Sequence, residues 1–138
     1  MMKVFQINSV CGVKSTGRIA TDIYNILQKQ GHECKIAYGR ELPHNIAQED
    51  AIKIGTDIGV KYHALMSRIT DKTAFYSKLA TKKLIKQIEE YNPDVVHLHN
   101  VHGYYINIDV LFRYLAKTDK KVVWTLHDCW SVTGHCAY

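Results

Sequence analysis

Apolar residues arrive in short, dense runs, separated by longer stretches where they recur every three or four positions. Lys3–Asn8 is the first run and reads as a buried strand. A polar, glycine-containing stretch, Ser9–Gly17, follows it. Ile19, Ile23, Ile26 and Leu27 then fall at helical spacing and predict an apolar helix face, closed by Gly31. Cys34–Tyr38 is a second strand, ended by Gly39. Residues 40–51 read as a loop around Pro43, and Ala51–Ile54 as a short third strand stopped by Gly55. From Thr56 to Tyr91 the pattern is helical, with a break expected at Asp71–Phe75. Ala80, Leu84, Ile88 and Tyr91 form one stripe of the second piece.

Asn92-Pro93 is a stop signal. Asp94–His99 is a fourth strand, and Ile108, Leu111, Phe112 and Leu115 mark a helix with Asn107 as its N-cap. Lys121–Leu126 is a fifth strand, and the last twelve residues have no clear period. Strands alternating with helices predict an α/β fold, a Rossmann-like doubly wound parallel sheet in one domain spanning 1–138. The strands are near-continuous apolar runs, which predicts that helices cover both faces.

Composition changes this picture little. Of 138 residues, 46% are hydrophobic and 22% charged, the balance of a soluble globular domain large enough to hold its own core. The N-terminus turns polar too soon for a secretion signal, and no apolar run is long enough to span a bilayer, so a cytoplasmic protein is expected. The net charge of +5 allows either a solvated basic surface or attraction to nucleotide sugars, lipid phosphates or an anionic membrane face. The lysines are too scattered for a nucleic-acid module. Four cysteines without a secretion signal do not predict disulfides, and Cys34 reads as a small core hydrophobe.

In a doubly wound sheet, ligands bind beyond the carboxyl ends of the strands. Three segments there carry polar groups that packing does not need. The first holds Gly12, Ser15, Thr16, Gly17 and Arg18, where glycines and a helix N-terminus suit an anion. Its Gly12-x4-Gly17 spacing is half a P-loop, but Arg18 and Ile19 stand where Lys and Ser/Thr are needed. A plain connecting turn remains the alternative. The second segment holds His97, His99, Asn100, His102 and Tyr104. Alternation puts His97 and His99 on one face. Zinc ligation, hydrogen bonding to hydroxyl or phosphate ligands, and structural packing all remain open, with His97 the most structural in position. The third segment holds His127 and Asp128. An imidazole there can bond a sugar hydroxyl or share a proton, and a carboxylate can accept from a sugar or orient the imidazole. A cap with a satisfied polar pair is the plainer alternative. Cys129, His135 and Cys136 add a His/Cys cluster, although Cys129-x6-Cys136 is not a standard zinc spacing.

Together these stretches resemble the N-terminal domain of family 4 retaining glycosyltransferases of the GT-B architecture, in particular bacterial polysaccharide-building enzymes of the colanic-acid type. The matching pieces are Gln6–Gly12, Ser15–Ala20, Gly31–Cys34, Pro93–Asn100, His102–Asn107 and Val123–Trp130. The resemblance implies two Rossmann-like domains facing a cleft, the first for a saccharide or lipid-linked acceptor and the second for the nucleotide-sugar donor. It puts the loop of Gly12, Ser15, Thr16 and Gly17 beside the donor phosphates and His127 beside the transferred sugar. It implies no metal and no cofactor, with the leaving diphosphate taking the acceptor proton.

The donor domain, with its basic residues and paired glutamates, is not found in this sequence. The chain alone is therefore expected to be inactive and to expose an apolar surface that favours self-association. Peripheral attachment to the inner membrane face is the second expectation for partners. Rival readings are a non-catalytic phosphate- or sugar-binding module working with a separate donor-domain chain, and a GT-B-shaped sugar-nucleotide epimerase. A receiver-like or flavodoxin-like domain fits less well, because neither an acidic pocket nor a clear flavin-phosphate loop is present.

Overall fold

The computed structural model describes residues 1–133. Five strands form one sheet: β1 (Lys3–Asn8), β2 (Glu33–Tyr38), β3 (Ala51–Lys53), β4 (Val95–Leu98) and β5 (Lys121–Trp124). All four pairings are parallel and the order is β3-β2-β1-β4-β5. This is the doubly wound α/β arrangement expected from the sequence. The direction of winding reverses between β1 and β4, so a crevice opens there beyond the carboxyl ends of the two strands.

Among the described residues five α-helices connect and flank the strands: α1 (Lys14–Lys29), α2 (Asp57–Thr70), α3 (Lys78–Tyr91), α4 (Ile108–Leu115) and the short α5 (Trp130–Thr133). Strand alternation sorts the core into two layers. Phe5, Ile7, Val96 and Leu98 point to the side packed by Leu84 and Ile88 of α3 and by Leu111 and Leu115 of α4. Val4, Cys34 and Ile36 point to the other side, against Ala20 and Tyr24 of α1. The predicted cap holds, because Asn107 Oδ1 accepts from the Val110 N–H at 3.0 Å. The break after Asp71 also holds, and α2 and α3 are separate helices.

Three expectations change. Helix α1 starts at Lys14, so Ser15, Thr16 and Gly17 belong to its first turn rather than to a loop. Its buried stripe is Gly17, Ala20, Thr21 and Tyr24, while Ile19 and Ile26 face solvent. Gly17 and Ala20 let the N-terminal half of α1 lie close to its neighbours. Strand β5, read as covered on both faces, is a sheet edge on which Val122 and Val123 are 43% and 48% exposed. Position in the sheet, not composition, decides its burial.

No helix of the described residues is long and apolar enough to cross a membrane.

Candidate functional site at the strand crossover

The loop after β1 turns tightly. Gly12 has φ +71, and a Cβ there would lie 1.9 Å from the His44 carbonyl oxygen. Only glycine fits that approach. The Gly12 N–H donates to the Gly17 carbonyl at 3.0 Å, folding the loop onto the first turn of α1. No side chain caps this helix, so its first N–H groups keep their donors for a ligand. Ser15 is exposed and Thr16 half-buried. Arg18 is exposed, one turn into the helix.

Asn8, fully buried at the end of β1, ties this loop to the next strand. Its Nδ2 donates to the Val10 carbonyl (2.9 Å) and to Thr16 Oγ1 (3.4 Å). Its Oδ1 accepts the Asn100 N–H at 3.2 Å. One side chain thus joins two of the three segments selected from the sequence.

The third joins through histidine. His99 Nδ1 lies 2.9 Å from His127 Nε2, and His99 Nε2 lies 2.8 Å from Gln6 Oε1. The rings of His97, His99 and His127 stack in a row, with centroid separations of 4.2 and 5.2 Å. His97 Nε2 bonds Thr125 Oγ1 at 2.8 Å, which fits its expected structural character. The Trp124 indole N–H donates to the His99 carbonyl at 3.0 Å and fixes the end of β4 against β5.

A second link runs in parallel. His102 Nε2 donates to Asp128 Oδ2 at 2.7 Å, and Asp128 Oδ1 accepts the Trp130 N–H at 3.0 Å. Trp130 packs over the His102 ring. Asp128 is thus held by His102 and by the first N–H of α5. The group that orients His127 is His99.

Burial governs the electrostatics of the row. It pushes the His99 pKa down to about 3, with the neighbouring His97 and His127 adding to the effect. Burial also lowers His97, and the charge of His127 lowers it further. His127 is lowered by burial against the opposing pull of the Asp128 carboxylate. All three rings are thus neutral at neutral pH. Burial by itself would raise the Asp128 pKa. The His102 hydrogen bond, the Trp130 N–H and the two histidine charges outweigh it and bring the carboxyl below its usual range.

Tyr104 stands apart from the row. It has φ 67 and packs edge-on against His63 of α2, at a centroid separation of 5.8 Å. Cys129 is exposed and reduced, while His135 and Cys136 lie outside the described residues. Among the described residues no group of three potential ligands could hold a metal ion. Gln6, Asn8 and Thr125 belong to the site and are not among the residues that the sequence singles out. The available signal is two amides, Gln6 and Asn8, inside a strand that packing needs to be apolar, since buried polar groups require partners.

A family model for Glycosyltransferase Family 4 matches residues 16–137. The chain belongs to glycosyltransferase family 4. It is 26% identical over 147 residues to the putative colanic acid biosynthesis glycosyl transferase WcaC of Escherichia coli strain K12, an alignment covering 99% of this chain. The chain spans 36% of the length of that relative. For a family 4 glycosyltransferase the crevice is well furnished. It offers free helix N–H groups and a neutral imidazole, groups that bind phosphate oxygens and sugar hydroxyls.

Beyond the crevice, an open groove of about 1030 Å³ runs between α2 and α3 past the end of β3. Lys53, Lys72, Lys78 and Lys83 line it together with Tyr62 and Phe75.

Proposed function

We propose that this chain supplies the acceptor side of a transferase that moves a hexosyl group from a nucleotide-sugar donor to a saccharide or lipid-linked acceptor in cell-surface polysaccharide assembly. The observation that carries the reading is the convergence of the Gly12 turn, His99 and His127 on one rim, joined through Asn8 and Gln6. The glycine turn and the first N–H groups of α1 meet the donor phosphates. His127 accepts a hydroxyl of the transferred sugar, aligning the anomeric carbon for attack. By the family resemblance, the anomeric configuration is retained and the leaving diphosphate takes the acceptor proton. A second Rossmann-like domain binds the nucleotide, so the chain by itself turns over no donor.

The basic groove between α2 and α3 receives the acceptor, with its lysines facing an acceptor phosphate. Beside it, Ile58, Tyr62, Leu65 and Ile69 recur along one side of α2 and are all more than half exposed. Lys61 and Arg68 flank this stripe. An apolar stripe bordered by basic residues suits the anionic face of a membrane, which is where a lipid-linked acceptor resides. The uncovered β5 edge favours self-association of the isolated chain.

The reading is tested by titrating the ¹⁵N-labelled chain with UDP-glucose and GDP-mannose up to about 10 mM, the range where weak sub-site binding is visible. Shift changes should centre on Gly12, Gly17 and His127, with no product sugar released. Changes confined to other surfaces, or none at all, would sink the sugar-site reading. Transfer by the chain alone would refute its inactivity.

A further inference from the structure

With both rings neutral, the hydrogen bonds that join Gln6, His99 and His127 permit only one placement of protons. Gln6 is fully buried, and its Nε2 donates to the Ala20 carbonyl at 3.0 Å and to Cys34 Sγ at 3.3 Å. Reversing the amide would set its oxygen against the Ala20 carbonyl oxygen, two acceptors facing each other. Gln6 Oε1 is therefore the atom 2.8 Å from His99 Nε2. An amide oxygen only accepts, so the proton of that bond sits on His99 Nε2. A neutral imidazole has one N–H, which leaves His99 Nδ1 as a lone pair. The bond at 2.9 Å from that lone pair then requires the proton of His127 to be on Nε2. Among the described residues no hydrogen bond engages His127 Nδ1.

We propose that Gln6 and His99 form a relay that fixes His127 as its Nε2–H tautomer and so reserves Nδ1 as an acceptor. Both are positioning residues that act through His127. The use of Nδ1 by a sugar hydroxyl rests on the function proposed above, whereas the tautomer itself does not.

The relay orders direction as well as position. Each donor in it faces its acceptor toward β1, starting at the exposed end with His127 and finishing at the backbone of α1. Adding a proton to His127 fills Nδ1 and leaves the bond to His99 in place. The ring can thus change from acceptor to donor at its free nitrogen without moving. A lone histidine, free to rotate or exchange tautomers, would not present a constant partner to an incoming hydroxyl.

NMR of the ¹⁵N-labelled chain reads this directly. In the wild type both His99 and His127 should carry their proton on Nε2, with a scalar coupling across the hydrogen bond from His127 Nε2 to His99 Nδ1. A proton on His99 Nδ1 would overturn the relay. So would His127 exchanging between both tautomers without that coupling. In Gln6→Met, which keeps the volume but removes the acceptor, the coupling should disappear. In Ile36→Val, a core change outside the relay, it should persist. Retention of the coupling in Gln6→Met would show that Gln6 plays no part. Should that variant fail to fold, the wild-type signature decides alone. Adding UDP-glucose bears on the sugar site and leaves the tautomer result standing, so the two ideas fail separately.

Discussion

The crevice rim and the outer side of α2 break the usual burial rule in opposite directions. At the rim, polar side chains are inside: Gln6, Asn8 and His99 are each no more than 1% exposed. On α2, apolar side chains are outside, with Ile58 81% and Ile69 68% exposed, while the helix buries His63 and Ser67 beneath it. Buried polar groups are tolerated because every one of the rim amides and imidazoles finds a partner at hydrogen-bond distance. The apolar stripe of α2 has no such internal remedy, since only a second surface can cover it. The buried rim groups are therefore satisfied within the chain, whereas among the described residues nothing covers the α2 stripe.

The largest effect separating the two regions should come from Gln6→Leu. It leaves the His99 Nε2–H unpaired in the interior, a loss of about 1–3 kcal/mol, the usual cost of one buried unsatisfied group. Urea unfolding of the variant measures it. A loss under about 0.5 kcal/mol would mean that the relay is not a closed network.

Acid should act next, on both regions. Burial holds His99 at about 3 and His63, beneath α2, at about 4, each below the ordinary histidine value of 6.5. The unfolded chain binds protons that the folded chain refuses, so this stability is complete above about pH 6.5 and drains away as pH falls toward those values. Each histidine removes up to about 1.4 kcal/mol per pH unit in that window. Unfolding at pH 7.5 and at pH 5.5 should differ by roughly 3 kcal/mol in total from these two rings. His63→Phe should shrink that difference and His99 should retain its share, dividing the acid response between the two sides. An unfolding free energy that is flat over this interval would show that neither ring is held neutral.

The smallest stability effect belongs to the α2 stripe. Ile58→Ser with Leu65→Ser removes exposed side chains and should change unfolding by less than about 0.5 kcal/mol. The same double variant should bind vesicles rich in phosphatidylglycerol at least about tenfold more weakly, because apolar insertion and basic contacts add in the interface. Strong destabilisation would show that the stripe is internal packing, and undiminished vesicle binding would remove the membrane role.

Much of the site is legible in the sequence. The position of Gly12, the histidines at the end of the fourth strand and His127 after the fifth follow from strand order, because the carboxyl ends of parallel strands share one edge. Asn107 is legible as a cap because the following apolar pattern marks where the helix begins. The equation of apolar with buried is what fails. Ile19, Ile26, Val122 and Val123 are apolar, yet helix rotation and a sheet edge leave them exposed. The buried face of α1 is instead chosen by closeness, with Gly17 and Ala20 against the sheet. Gln6 and Asn8 escape a strand pattern because amides at alternate positions of one run keep its period of two.

The sequence by itself determined the order and type of the elements, the α/β architecture with helices on both sheet faces and the family, since these depend on local periodicity and on motifs read along the chain. Tertiary structure alone decided that Gln6, His99 and His127 form one chain of hydrogen bonds, that Asp128 pairs with His102 rather than His127, and that α2 wears its apolar side outward. Those facts depend on which side chains meet across strands separated by as many as 93 positions, and no local pattern encodes the angle at which they meet.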